Sequence, residues 1–271
     1  MYPLLLSLFL LVSVRSMSAE QITDAQKNVT VEGYNGPMTK EVLASLKDVE
    51  VLTIKKSNIT SYPSHVFSLL PNLKSIVILH SQFDIMDTNI YEDADKLQDI
   101  LFAHNIVPEL PLTLLRRTTF EKIVISDQGQ VKEIPKNFAN ETTRLRIFEC
   151  SGCKIATIHD GAFNNLDKLE VLNLNNNFVK EISREIFAPL RNLKKLQLRG
   201  NLIEKLHSEN IAELSVLEEI DISNNPLTEL NLFGIDKIAP NLKVVDIRGS
   251  RVTESVINEH ISKTKIHFVT K

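Results

Sequence analysis

Only two cysteines, Cys150 and Cys153, occur in 271 residues, and there is no tryptophan. Small exported domains that rely on disulfides carry several pairs, so a chain this poor in cysteine must be held by a hydrophobic core. Neither sign of charge dominates: 31 Lys+Arg stand against 34 Asp+Glu, a net charge of −3. That leaves no electrostatic footprint for nucleic acid or for an anionic lipid surface. Long apolar runs are also missing, apart from Pro3 to Val14, which two serines interrupt. A transmembrane helix needs about 20 apolar residues to cross roughly 30 Å of hydrocarbon, so no membrane insertion is expected. The charged tail KTKIHFVTK does not fit a lipid-anchor signal. No Gly-rich phosphate loop, HExxH or paired-acid motif is present, and no nucleophile is placed beside a base.

The apolar start itself reads as an export signal. Small residues at Ser16 and Ser18 follow it and suit a signal peptidase, although no basic side chain precedes Arg15. Residues 1–18 are therefore expected to be removed, giving a secreted, extracellular chain. Loss of Arg15 leaves 30 Lys+Arg against 34 Asp+Glu, a net charge of −4. Export gives meaning to three Asn-x-Ser/Thr sequons, at Asn28, Asn58 and Asn140, as glycosylation sites.

What fills the chain is a repeat. LEVLNLNNNFVKEI from Leu169 and LKKLQLRGNLIEKL from Leu193 share the frame LxxLxLxxNxxxxxL at a period of 24. The frame recurs from Val49, Leu73, Leu97, Phe120, Leu145, Leu169, Leu193, Leu217 and Leu242, nine units spaced 23 to 25 residues apart. Fourth and sixth positions are apolar throughout, as in Leu52/Ile54, Ile76/Ile78, Phe148/Cys150 and Leu196/Leu198. Alternation of period two describes a short strand with those side chains turned inward. The ninth position reads Ser57, Ser81, Asn105, Gln128, Cys153, Asn177, Asn201, Asn225 and Ser250. A buried polar residue recurring once per coil can satisfy backbone groups in the turn that leaves the strand. Apolar rows farther along, including Ile59, Val179, Phe67 and Phe187, are expected to close each coil from behind.

Carried by these positions, the chain resembles the extracellular leucine-rich-repeat family of 24-residue units. In repeat length it is similar to secreted insect repeat proteins, mosquito immune ones among them, without their cysteine-rich and coiled-coil regions. The resemblance implies an α/β leucine-rich-repeat solenoid: a curved horseshoe with a concave parallel sheet and convex short helices or 3₁₀ segments. The expected organisation is a signal peptide over 1–18, an N-terminal cap over 19–48, nine repeats over 49–255 and a C-terminal cap over 256–271. NVTVE from Asn28 supplies a cap strand, and Thr39 caps a short helix. VINEHISK reads as a helix, and Ile266 with Phe268 as a last strand.

Cys150-Ser-Gly-Cys153 has the C-x-x-C spacing of redox motifs, but the frame accounts for each residue separately, at an inward strand position and at the ladder position. The two thiols are either buried and free or locally bonded. His80, His104 and Asp127 share the eighth position of successive units, where neighbouring strands about 4.8 Å apart would align them in one column; an exposed polar rim accounts for them more simply than a metal site. Glu219, Asp221 and Asp246 are interleaved with Lys195, Arg199 and Arg248, a mixed-charge surface rather than an acid–base pair. No catalytic residue, metal or cofactor is expected, and the chain reads as a non-enzyme.

Binding is the function this pattern suits, since repeated strands present a large surface. The expected partner is an extracellular protein ligand or receptor, engaged in adhesion, signalling or capture, with homo- or hetero-oligomers as further arrangements. The alternatives are innate-immune recognition of microbial glycan or lipid, and a structural role in extracellular matrix. Outward strand positions carry no aromatic side chain, which counts against sugar binding. In the early units those positions include Val51, Val77, Leu79, Leu101, Ala103 and Val124, whereas from the fifth unit onward they are mostly polar. Val77, Leu79, Leu101, Ala103 and Val124 are accordingly the expected partner-binding residues, because an exposed apolar patch needs a cover.

Overall fold

A computed structural model describes residues 22–25, 27–44, 46–83, 90–107, 118–129, 131–139 and 142–270. The segment read as an export signal and the sequon residue Asn140 lie outside the described residues. The chain divides into two compact units, residues 1–120 and 121–271.

In the first unit, β1 (Ile22–Ala25) runs antiparallel to β2 (Asn28–Glu32). From β2 onward every pairing is parallel, through β3 (Val51–Lys55), β4 (Ser75–Leu79) and β5 (Asp99–Ala103). The register advances by one coil per strand, so that Val29, Leu52, Ile76 and Ile100 form one row and Val31, Ile54, Ile78 and Phe102 another. Both rows are buried, as alternation along a pleated strand requires. Return segments close the core: α1 (Lys40–Ala44) starts after Thr39, whose hydroxyl accepts the Val42 amide at 3.4 Å, and a 3₁₀ turn covers Val66–Leu69. Phe67 stacks on Tyr91 at 5.5 Å, and Tyr91 meets Phe120 edge-on at 5.4 Å. Burial pushes the Tyr91 phenol up, so it stays a neutral part of this stack.

The second unit repeats the scheme with seven parallel strands. These are β6 (Lys122–Ser126), β7 (Ile147–Ser151), β8 (Val171–Asn173), β9 (Lys195–Gln197), β10 (Glu219–Asp221), β11 (Val244–Asp246) and β12 (His267–Val269). Behind them lie α2 (Arg184–Phe187), capped by the Ser183 hydroxyl, and α3 (Ile235–Ile238). The ten-residue α4 (Glu254–Lys263) precedes β12. His260 of α4 is buried; its Nε2 lies 3.0 Å from the Leu232 amide and its Nδ1 2.8 Å from the Val256 carbonyl. An amide can only donate and a carbonyl only accept, so the ring is neutral with its proton on Nδ1. It ties the helix to the preceding coil.

Strand length changes for a local reason. Strands β2 to β7 have five residues, and β8 to β11 have three. In the shorter set the fifth position is Asn173, Asp221 or Asp246 in three coils of four, and each side-chain oxygen accepts the amide two residues on, at 3.0, 3.0 and 3.1 Å. An Asx side chain that binds its own backbone competes with the ladder and ends the strand. The longer strands carry threonine, valine, leucine or glutamate at that position, which make no such turn.

The ninth position forms the expected ladder. Asn105, Asn177, Asn201 and Asn225 send Nδ2 to the sixth-position carbonyl of the preceding coil, at 2.7 to 2.9 Å. Their Oδ1 atoms accept amides of that coil: Ser81 for Asn105, Cys153 and Ile155 for Asn177, Val179 for Asn201, and Ile203 for Asn225. Serine does half of this, with Ser57 Oγ accepting the Tyr34 amide and Ser81 Oγ the Ser57 amide. Gln128 is buried too, but its Oε1 has no partner. Ser250 departs from the rest in being only half-buried.

Candidate interaction surfaces

The eighth position is where sequence reading underestimated the backbone. Lys56, His80, His104, Asp127, Gly152, Asn176, Gly200, Asn224 and Gly249 all have positive φ, between 48° and 71°. Each coil turns away from its strand in the left-handed region, which glycine and asparagine enter readily and lysine and histidine less so. Amides at this position reach the seventh-position carbonyl of the next coil, as in His80 to Ala103 at 3.2 Å and Asn176 to Arg199 at 2.7 Å. In the first unit the turn brings the exposed rings of His80 and His104 face to face, with centroids 4.9 Å apart and planes within 6°. Parallel rings do not converge on a point. Among the described residues no group of three or more His, Cys, Asp or Glu side chains could hold a metal ion.

On the open face of the first sheet, Val77 lies beside Leu101, while Leu79 lies between Lys55 and Ala103. Val51, Val77, Leu79 and Leu101 are half-buried. Ala103 is not: only 6 % of it is exposed, a correction to the expected surface. A single methyl beside the longer Leu79 presents almost no area of its own. Val124 belongs to the second unit, where it is half-buried and its register neighbour is Glu149. The open face there is less uniformly polar than expected, since Ile147, Val171 and Val244 also point outward and are half-buried.

The carboxylates of that face are engaged within the fold. Lys195 pairs with Glu219 at 3.1 Å, and Asp221 accepts both the amide and the hydroxyl of Ser223. Asp246 receives the Arg248 guanidinium through Nε and Nη2. Burial alone would raise the Asp246 carboxyl, but its bonds to Arg248 outweigh burial and hold it below the usual range. A second rail of charges runs along the second position of the frame: Glu170 bridges Arg146 and Lys194, and Glu50 bridges Lys27 and Lys74. Hydrogen bonds from Lys27 and then Lys74 pull the Glu50 carboxyl from 4.5 to about 2. A carboxyl depressed on folding adds stability above its unfolded value and loses it as pH falls through the folded one. The melting-temperature difference between wild type and Glu50→Gln should therefore be full above pH 5, shrink from about pH 4.5 downward and vanish near 2. Added salt should also reduce it. A difference independent of both pH and salt would show that the bridge contributes nothing.

Ile261 of α4 (51 %) and Phe233 (38 %) apart, the large apolar side chains most exposed among the described residues sit at the tenth position: Ile106 in the first unit (66 %) and Phe178 (49 %) with Leu202 (40 %) in the second. Buried neighbours at the ninth and eleventh positions force these side chains out. Leu202 and Pro226, one coil apart, border an open groove of about 610 Å³ that also includes Ile182, Lys205 and His207. Asn210 sits within it, bonding the His207 amide at 2.7 Å and the Ile182 carbonyl at 3.1 Å.

Stacked coils with an inward-facing strand, a polar ladder and a short return segment define the leucine-rich-repeat class. Two family models agree: "Leucine rich repeat" over residues 143–203, and "BspA type Leucine rich repeat region (6 copies)" over residues 40–146. The chain is a leucine-rich-repeat protein. No curated protein matches it by sequence. Among solved structures it is similar to one in the Drosophila Toll–Spatzle complex, with a TM-score of 0.66 and 16 % identity over 87 % of this chain and 32 % of that one. It is similar also to the leucine-rich-repeat domain of APL1B (TM-score 0.61, 17 % identity, 99 % of this chain and 80 % of that one). A third match is to the LRIM1/APL1C complex (TM-score 0.57, 16 % identity, 82 % and 45 %). The chain thus spans about a third of the length of the first of these. At such identities the likeness is one of fold.

Proposed function

We propose that the protein is an exported, non-enzymatic module that holds a protein partner on the open face of its first sheet. The observation that carries this reading is the cluster Val77, Leu79 and Leu101, which alternation turns away from the core and which remains half-buried side by side. Apolar area left on a sheet face that the core does not need is an interface in waiting. The similar folds add support, since Toll is held in a complex with Spatzle and LRIM1 with APL1C. No described helix is long and apolar enough to cross a membrane, which is compatible with export. Affinity capture with the tagged protein tests the reading: recovery of a protein receptor that binds directly supports it, whereas retention on microbial cell-wall material alone replaces it with glycan or lipid recognition.

Export has its own test. Expressed in a secretory host, the chain should reach the medium with its N-terminus near Ala19 and lose mass on glycosidase treatment. Asn28 is exposed on β2, whereas Asn58 is half-buried with Oδ1 enclosed and Nδ2 donating to Asn35 at 3.1 Å. Glycan is therefore expected on Asn28 in preference to Asn58, as read by peptide mapping. An intact Met1, or retention inside the cell, would remove the extracellular reading altogether.

A further inference from the structure

We propose that Cys150 and Cys153 are a disulfide-forming pair whose redox state is set while their coil is still open and is then sealed by folding. The repeat itself brings them together. Position nine folds back on position six in the three coils that follow, where Asn177 bonds the Leu174 carbonyl, Asn201 that of Leu198 and Asn225 that of Ile222, each at 2.9 Å. Only here do both positions carry sulfur. The turn between them passes through Gly152 at φ +64°, and the two Sγ atoms lie 2.9 Å apart, closer than unbonded sulfurs rest comfortably. The backbone is held in place from the next coil, because Asn177 accepts the Cys153 amide at 3.0 Å. The remaining contacts of Cys153 Sγ are long, 3.4 Å to the Ser151 carbonyl and 3.7 Å to that of Ile125. A disulfide would give up little by losing them.

Sealing follows from burial. Neither residue exposes any surface. Burial first, and the neighbouring thiol second, push the Cys150 thiol well above its ordinary value. Exchange needs a thiolate and an approach path; the closed coil holds Cys150 as the thiol and leaves neither sulfur within reach of solvent. In the open chain the step runs against an external disulfide, either a small molecule such as oxidised glutathione or a protein disulfide. One cysteine thiolate attacks it, forming a mixed disulfide and expelling one external thiolate. The second cysteine thiolate attacks the cysteine sulfur of that mixed disulfide and expels the other. Two electrons pass to the external disulfide, which leaves as two thiols carrying the two protons. Export is not assumed, since the buffer sets the outcome.

The test refolds the full chain from denaturant, once in a mixture of oxidised and reduced glutathione and once in reductant alone. Both samples are then alkylated in denaturant and weighed. The first should be monomeric and about 2 Da lighter before alkylation, two hydrogens having been lost, and should resist alkylation. The second should take up two alkyl groups. Exposed natively to oxidised glutathione, the second should oxidise at least about 100-fold more slowly than in denaturant, because the buried thiols are not reachable. Glutathione adducts, interchain dimers or a pair that stays reduced in the oxidising mixture would overturn the pairing. So would an oxidised product that fails to regain the circular dichroism of the reduced fold. Native oxidation as fast as in denaturant would overturn the seal. Cys153→Asn, which installs the ladder residue of the neighbouring coils, should fold in both buffers and never become lighter.

Discussion

Asn201→Leu is expected to lower the melting temperature by about 5 °C, because the change strands the buried Val179 amide and takes one of two side-chain donors from each of two buried carbonyls, which keep Asn177 and Asn225. Asn201 Nδ2 serves the carbonyls of Leu174 and Leu198, and Oδ1 accepts the Val179 amide at 3.1 Å. Leucine has similar bulk, so no large cavity opens, but it can make none of these bonds. Each buried group left without a partner costs about 1–3 kcal/mol, and in a chain of this size 1 kcal/mol corresponds to about 2–4 °C. Asn201→Ser should do less harm, since Ser57 and Ser81 occupy the same position and still accept an amide from the coil before. A leucine variant that melts with the wild type would mean that the ladder does not hold the coils together.

The ladder and the inward strand pairs were legible because they obey a strict period: a residue class recurring every 24 positions has one geometric explanation. The eighth position was harder to read. Glycine and asparagine at 152, 176, 200, 224 and 249 advertise a left-handed backbone, but Lys56, His80 and His104 do not, and the two histidines drew attention as side chains rather than as turn residues. Only comparison down the column shows that tertiary packing imposes one φ on all of them. The open face was read too simply. Outwardness follows from alternation, but exposed area depends on side-chain size and on neighbours, which is why Ala103 is covered while Leu101 beside it is not. The same alternation could have found Phe178 and Leu202, since a residue between a buried ninth and a buried eleventh position has nowhere to go but out. Down the column, however, the tenth position carries no one residue class, running from Asn58 and Gln82 to Lys154, Pro226 and Arg251, so the repeat frame by itself does not single it out.

Leu79→Asp combined with Leu101→Asp should abolish capture of the partner, a loss of more than about 100-fold in affinity, as expected when apolar anchors at the centre of an interface become charged. Both side chains point off the open face, so the core is untouched, and the cost to stability should stay near 1 kcal/mol from lost strand propensity. Secretion and melting thus serve as internal controls. Phe178→Asp with Leu202→Asp is the comparator, because that pair is more exposed, at 49 % and 40 %, yet belongs to the second unit and the flank of the coils. Asp221 and Asp246 make a poorer comparator. They end strands and hold Ser223 and Arg248, so alanine there would disturb the turn as well as the surface. If the flank pair proves decisive and the sheet pair silent, the partner docks on the turns rather than on the strands, and the binding surface assigned to the first unit is wrong. If neither pair matters, apolar contact is not what holds the partner, and recognition must run through the charged rails around Glu50 and Glu170, with the steep salt dependence that such contacts carry.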